Sequence, residues 1–362
     1  MRKIVVLFFI TLSLHVFSQE NRIVRDPKVD KRVELLSIVF RLAGNHEYND
    51  KQFKLYTDKI EQHFSPYKKH ELIKFAEKLR NEKGISYDAV MSLAVHIDEN
   101  LNPRTEFEES SLDNRWNKDD AIKFVALLKS FYKETKFEEF YKDNEQMYHE
   151  VVISFLPVFD RFDVDWYTSF YGEKPSEKFI IILAIGNGSS NYGAFFQDDE
   201  NEREIYAFLG AGSTDNSGMI DYEAEINAYY STLVHEFNHS FVNPLLEKHK
   251  ELFRVNGEKI YKILENEFSS QAYGSWEIIL NEALVRASVV KYLIDHDFEK
   301  TMIEGLYYYE LDNSFLWIRN LVDELEKYDS QRNIYPTLDS YMEKLAEAYN
   351  SFAKIVEQLN QN

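Results

Sequence analysis

One stretch breaks an otherwise helical hydrophobic period. Between residues 178 and 209 the apolar side chains stop recurring every three to four positions and instead run continuously or alternate. Residues 178–185 form a β-branched run of strand length, 192–196 a second strand candidate and 204–209 a third. The segment between the first two, Gly186-Asn-Gly-Ser-Ser-Asn-Tyr-Gly193, looks only superficially like a phosphate-binding loop. Such a loop opens a helix, and strand follows here, so the segment reads as a hairpin turn.

Upstream, helical patterns occupy 31–42, 51–63, 67–80, 87–97, 119–133 and 137–155, punctuated by Gly44, Pro66, Gly84 and Pro103. This helical N-terminal region, 19–160, holds no catalytic constellation and no internal repeat. Downstream of Asp221 the chain is helical again. Its last helix, 338–359, carries Leu338, Met342, Leu345, Tyr349, Phe352, Val356 and Leu359 at spacings of four and three, the mark of a packing face. The expected fold class is therefore α+β, mostly helical, with a small mixed sheet followed by helices in a second domain, 161–362.

The first residues read as an export signal. Met1-Arg2-Lys3 is basic, 4–17 is apolar but shorter than the about 20 residues a bilayer span needs, and Ser18 suits a cleavage site. A signal peptide over 1–18 places the mature chain in the periplasm or outside the cell; an uncleaved anchor is the alternative. The chain has no cysteine, which excludes disulfides, thiolate metal sites, thiol catalysis and a lipid anchor on a thiol. Stability must come from packing, and a composition 44% hydrophobic and 15% aromatic can fill a large core. A net charge of −20 repels phosphate backbones and anionic lipid, so nucleic acid and membrane surfaces are poor partners.

The residues that carry chemistry are Val234-His235-Glu236-Phe237-Asn238-His239-Ser240. Four residues are just over one helical turn, so both imidazoles project from one face and can grip one metal ion. Glu236, beside that face, can take a proton from a water attacking a carbonyl without ligating the ion. Ile226, Tyr230, Leu233, Phe237 and Phe241 form a neighbouring apolar stripe, and Asp221, Glu223 and Glu225 suit the helix N-terminus. Asn243-Pro244 is expected to end this helix.

A catalytic zinc site takes three protein ligands and leaves one position open. A metzincin would place a histidine at 245 and a glycine at 242, where this chain has Leu245 and Val242. The better candidate is Glu282, on a helix whose buried stripe is Trp276, Ile279, Leu280, Ala283, Ala287, Val290 and Ile294. A carboxylate beside a core face needs a partner, and a metal would be one. The alternative partner is Arg286, one turn on. Glu277, His249 and Glu251 are weaker ligand candidates. Among the tyrosines, Tyr273 and Tyr292 flank this helix and are candidates for a donor to the developing oxyanion.

His235-Glu-Phe-Asn-His239 with a later Asn281-Glu282 resembles the gluzincin clan of metallopeptidases. The longer string to Pro244, with Trp276-Glu-Ile and Asn281-Glu-Ala-Leu-Val-Arg286, also resembles a family of unknown function among secreted bacterial proteins regarded as zincins. The resemblance covers roughly the second half of the chain. It implies zinc held by His235, His239 and Glu282, Glu236 as general base, a peptide or protein substrate, and an extended peptide pairing with the strand at 191–196. In one respect the chain departs from the pattern: thermolysin-like members carry an aspartate four residues after the ligand glutamate, and here that place is Arg286. The expectation is a secreted zinc hydrolase, most simply a peptidase, though amide or ester hydrolysis would use the same residues. The competing expectation is a non-catalytic helical binding or scaffold protein with a structural or decayed metal site.

Overall fold

The computed structural model describes residues 24–107, 112–175, 177–198, 202–271 and 273–360. The segment expected to be a signal peptide, 1–18, lies outside them. Among the described residues no helix is long and apolar enough to cross a membrane. The fold is α+β and mostly helical, with one three-stranded mixed sheet.

Before the sheet run helices α1 (Lys31–Leu42), α2 (Lys54–Phe64), α3 (Glu71–Lys83), α4 (Asp88–Val95), α5 (Lys118–Glu134), α6 (Phe137–Asp143), α7 (Glu145–Phe159) and α8 (Asp165–Tyr171). Local chemistry sets their ends. Asp30 caps α1 by accepting from Arg32 N–H at 2.9 Å, Asn117 caps α5 by accepting from Asp120 N–H at 2.8 Å, and Gly84 closes α3 in the left-handed region. The helix expected over 137–155 is two helices. Asn144 divides them, its side-chain amide donating to the Phe140 carbonyl at 2.7 Å and so competing with the helical ladder.

The strands are β1 (Lys178–Leu183), β2 (Tyr192–Gln197) and β3 (Arg203–Leu209), in spatial order β1-β3-β2. β3 is parallel to β1 and antiparallel to β2, so the segment expected to turn a hairpin between β1 and β2 does not. Its polar groups are used elsewhere. Gly188 O accepts from Ala211 N–H at 2.6 Å, Asn191 Oδ1 accepts from Gly210 N–H at 2.9 Å, and Ser189 bonds Asp50. These contacts tie the segment to the end of β3 and to the N-terminal helices, leaving the central slot of the sheet to β3. The N-terminal region also reaches the sheet directly: α4 packs on β2, and Val24 and Lys28 bridge to β1 in parallel.

After the sheet come α9 (Ile226–Ile263), α10 (Glu265–Ser270), α11 (Trp276–Asp295), α12 (Lys300–Asp312), α13 (Ile318–Ser330) and α14 (Leu338–Asn360). The expected stop at Asn243-Pro244 does not occur, because α9 carries Pro244 in its interior and continues to Ile263. An interior proline costs about 3 kcal/mol. Beyond it α9 buries Leu245, Leu246, Phe253 and Ile260, each worth about 1.5–3 kcal/mol, so packing outweighs the lost hydrogen bond. α9 packs on α11 and α14, and α11 packs in turn on α13. The apolar stripe of α14 is buried from Leu338 to Val356, as a packing face should be.

Candidate functional site

Aromatic stacking orients the motif helix. Phe237 of α9 lies face to face with Phe179 of β1, centroids 4.2 Å apart and planes 7° from parallel, and Phe241 stacks likewise on Tyr171 of α8 at 4.3 Å. With Leu233 and Tyr230 also buried, this stripe pins one side of α9 to the core. The adjoining side, carrying His235, Glu236 and His239, is left half-buried, and His235 and Glu236 line a cleft.

The two imidazoles meet with Nε2 atoms 3.2 Å apart. Glu282 of α11 comes to both, its Oε2 3.7 Å from His235 Nε2 and its Oε1 3.6 Å from His239 Nε2. The three ligand atoms all lie within 4.8 Å of one another. Zinc held tetrahedrally at about 2.0–2.1 Å needs donors about 3.3 Å apart, so the donor set fits with small adjustments. The chemistry fits as well. Asn243 Oδ1 stands 3.1 Å from His239 Nδ1, so Nδ1–H donates there and Nε2 keeps its lone pair for a metal. Burial, then the neighbouring His239 and Arg286 charges, hold His235 well below the usual imidazole range, which favours the neutral ligand form.

Glu236 lies beside this triangle and lines the cleft. Burial pushes its carboxyl up to about 7. Its position depends on a missing side chain: a Cβ on Gly193, in edge strand β2, would fall 1.8 Å from Glu236 Oε2. The carboxylate occupies that space.

Arg286 both pairs with Glu282 and leaves Glu282 facing the histidines, so the two partners weighed for that carboxylate coexist. Its Nε is 3.4 Å from Glu282 Oε2, one terminal nitrogen donates to Glu310 of α12 at 2.7 Å, and the other to Tyr273 Oη at 3.0 Å. The guanidinium also lies 4.8 Å over the Phe315 ring. Glu310 is itself buried, and burial raises its carboxyl above the ordinary range. The place filled by aspartate in thermolysin-like sequences is thus taken by a cation spanning two carboxylates.

Of the two tyrosine candidates, only Tyr273 comes to the site, its hydroxyl 3.5 Å from Glu282 Oε2. Tyr292 is buried, and its hydroxyl accepts from Asp163 N–H at 2.8 Å. His249 is paired with Asp339 at 2.8 Å and Glu251 with Arg254, so neither joins the donor group, and Glu277 lies outside it too. Sequence reasoning missed three residues. Gly193 had a signal, since glycine inside a strand marks a close approach. Asn243 had one in its i+4 spacing from His239, obscured by the adjoining proline. Glu310 had none, because only the packing of α12 brings it to Arg286.

The cleft measures about 650 Å³ and runs from His235 and Glu236 between α9 and α12, a size typical of sites for small ligands or short peptide segments. A family model described as Domain of unknown function (DUF4932) matches residues 27–347. No curated protein and no solved structure matches the chain.

Proposed function

This chain belongs to the DUF4932 family, a domain of unknown function, and we propose that it is an extracytoplasmic zinc-dependent hydrolase, a peptidase of gluzincin type. One observation carries the reading. Two imidazole nitrogens and a carboxylate from two helices converge within 4.8 Å, with a second carboxylate, Glu236, beside them on a cleft.

His235, His239 and Glu282 would hold zinc, which when bound supplies a Lewis acid that polarises a scissile carbonyl and activates water near neutral pH. Glu236 accepts the proton of the attacking water and passes it to the departing amine nitrogen. Gly193 leaves the carboxylate the room to do so. Arg286, held by Glu310 and Tyr273, fixes the ligand carboxylate, while Asn243 fixes the tautomer of His239. Among the described residues three donors meet, one of them, His235, lining the cleft, and this favours catalysis over a structural site, which takes four.

The test is the metal content of the purified mature protein beside His239→Ala and Glu282→Ala, by elemental analysis after dialysis against a weak chelator. One zinc per wild-type chain, lost from both variants, is the expected result. A folded wild type that holds no zinc after reconstitution would move the reading to a non-catalytic binding protein.

A further inference from the structure

We propose that the groove between α9 and α12 selects peptides carrying a large, uncharged apolar side chain next to the scissile bond and rejects acidic ones there. This rests on the zinc-hydrolase reading and adds a substrate class to it.

The two walls of the groove differ in chemistry. On α9, Asn227, Ser231 and Thr232 stand along the turns that precede His235, at spacings of four and one. They are short and polar, suited to the amides of an extended backbone. On α12 the lining residues are Met302, Gly305, Leu306 and Tyr309. Their spacing of three, one and three places them on one face of that helix, and the face is apolar. Val289 of α11 extends the same wall toward the donor group. A bound peptide would therefore lay its backbone on α9 and a side chain on α12.

Charge sharpens the choice. The guanidinium lining the groove, Arg286, is already engaged by Glu310 at 2.7 Å and Glu282 at 3.4 Å. An acidic side chain would lose its hydration beside two carboxyls, Glu236 and Glu310, while the guanidinium that could pair with it is already engaged.

Gly305 provides a clean probe. A Cβ built there meets nothing within 4 Å, and the residue is exposed within a helix, where glycine is the poorest former after proline. A large side chain at 305 should fill the groove without straining the fold.

The experiment measures calorimetric binding of three hydroxamates, of N-acetyl-leucine, N-acetyl-glycine and N-acetyl-aspartate, to the zinc-loaded mature chain. No turnover is needed. The leucine probe should bind at least ten-fold tighter than the aspartate probe and several-fold tighter than the glycine probe. Gly305→Trp should erase the leucine-over-glycine preference with zinc content unchanged, and Met302→Lys should narrow the leucine-to-aspartate gap. Equal affinities for leucine and aspartate, or a leucine affinity untouched by Gly305→Trp, would overturn the specificity while leaving the metal reading intact. Absence of zinc, or of binding by all three probes, would remove the metal reading and this inference with it.

Discussion

Two carboxylates withdrawn from solvent, one fully and one in part, stand in the two halves of the molecule, built alike and placed to opposite ends. Glu34 of α1 and Glu236 of α9 are both pushed up by burial, to about 8 and about 7. Each presses on a glycine of the same segment. A Cβ on Gly186 would lie 2.9 Å from Glu34 Oε2, and one on Gly193 would lie 1.8 Å from Glu236 Oε2. Glu34 is fully buried, accepts from Gly186 N–H at 3.3 Å and is enclosed by the N-terminal helices. Glu236 is half-buried and lines the cleft beside the donor group. Burial of a carboxyl is thus not a functional signature by itself. Access to the cleft and the company of two imidazoles and the Glu282 carboxylate separate the two.

Exchanging acid for amide should affect the two sites unequally. Glu236→Gln should keep zinc and lower peptide hydrolysis by about 10³-fold, within the usual contribution of a general base. Glu34→Gln should leave hydrolysis within about two-fold. A Glu236→Gln enzyme as active as wild type would end the proposed mechanism.

The two glycines should differ in the same way. Gly193→Ala should displace the Glu236 carboxylate and cost about 10²-fold in kcat, with zinc content retained. Gly186→Ala should leave kcat alone and lower stability by about 1–3 kcal/mol, because the new Cβ also meets Ser37 Cβ at 3.0 Å in a packed interior. Denaturant titration beside steady-state kinetics tells the two apart. The same phenotype from both variants would contradict the division of roles.

The smallest effect is on stability against pH. Below about pH 4.5 the Glu34 carboxyl is protonated in both states, and between there and about 8 only the folded state keeps the proton. The folded state binds more protons across that window, so stability falls as pH rises through it. Glu34→Gln should flatten this slope and exceed wild type by roughly 1–3 kcal/mol above pH 8. Parallel curves for the two proteins would show that Glu34 ionises normally.

Much was legible locally. Residues 178–209 read as strand because β-branched runs do not suit a helical period, and three strands form there. The spacing of His235 and His239 required a helix, and the stripe through Leu233, Phe237 and Phe241 showed which side of it is buried. Glu282 was recognisable as a carboxylate beside a core face. Helix ends were less secure. Asn144 splits one expected helix through a side-chain bond, and Pro244 fails to end another because burial beyond it outweighs the cost.

Local spacing determines whatever repeats within about one helical turn or two strand residues: element type, buried faces and the pairing of two histidines on one side of a helix. Tertiary structure decided the rest. It brought Glu282 to those histidines from another helix, put β3 between β1 and β2, set Gly193 under Glu236, and packed Glu310 onto Arg286. Those choices depend on which surfaces exclude water together and which polar groups find partners when they do, and no local spacing encodes either.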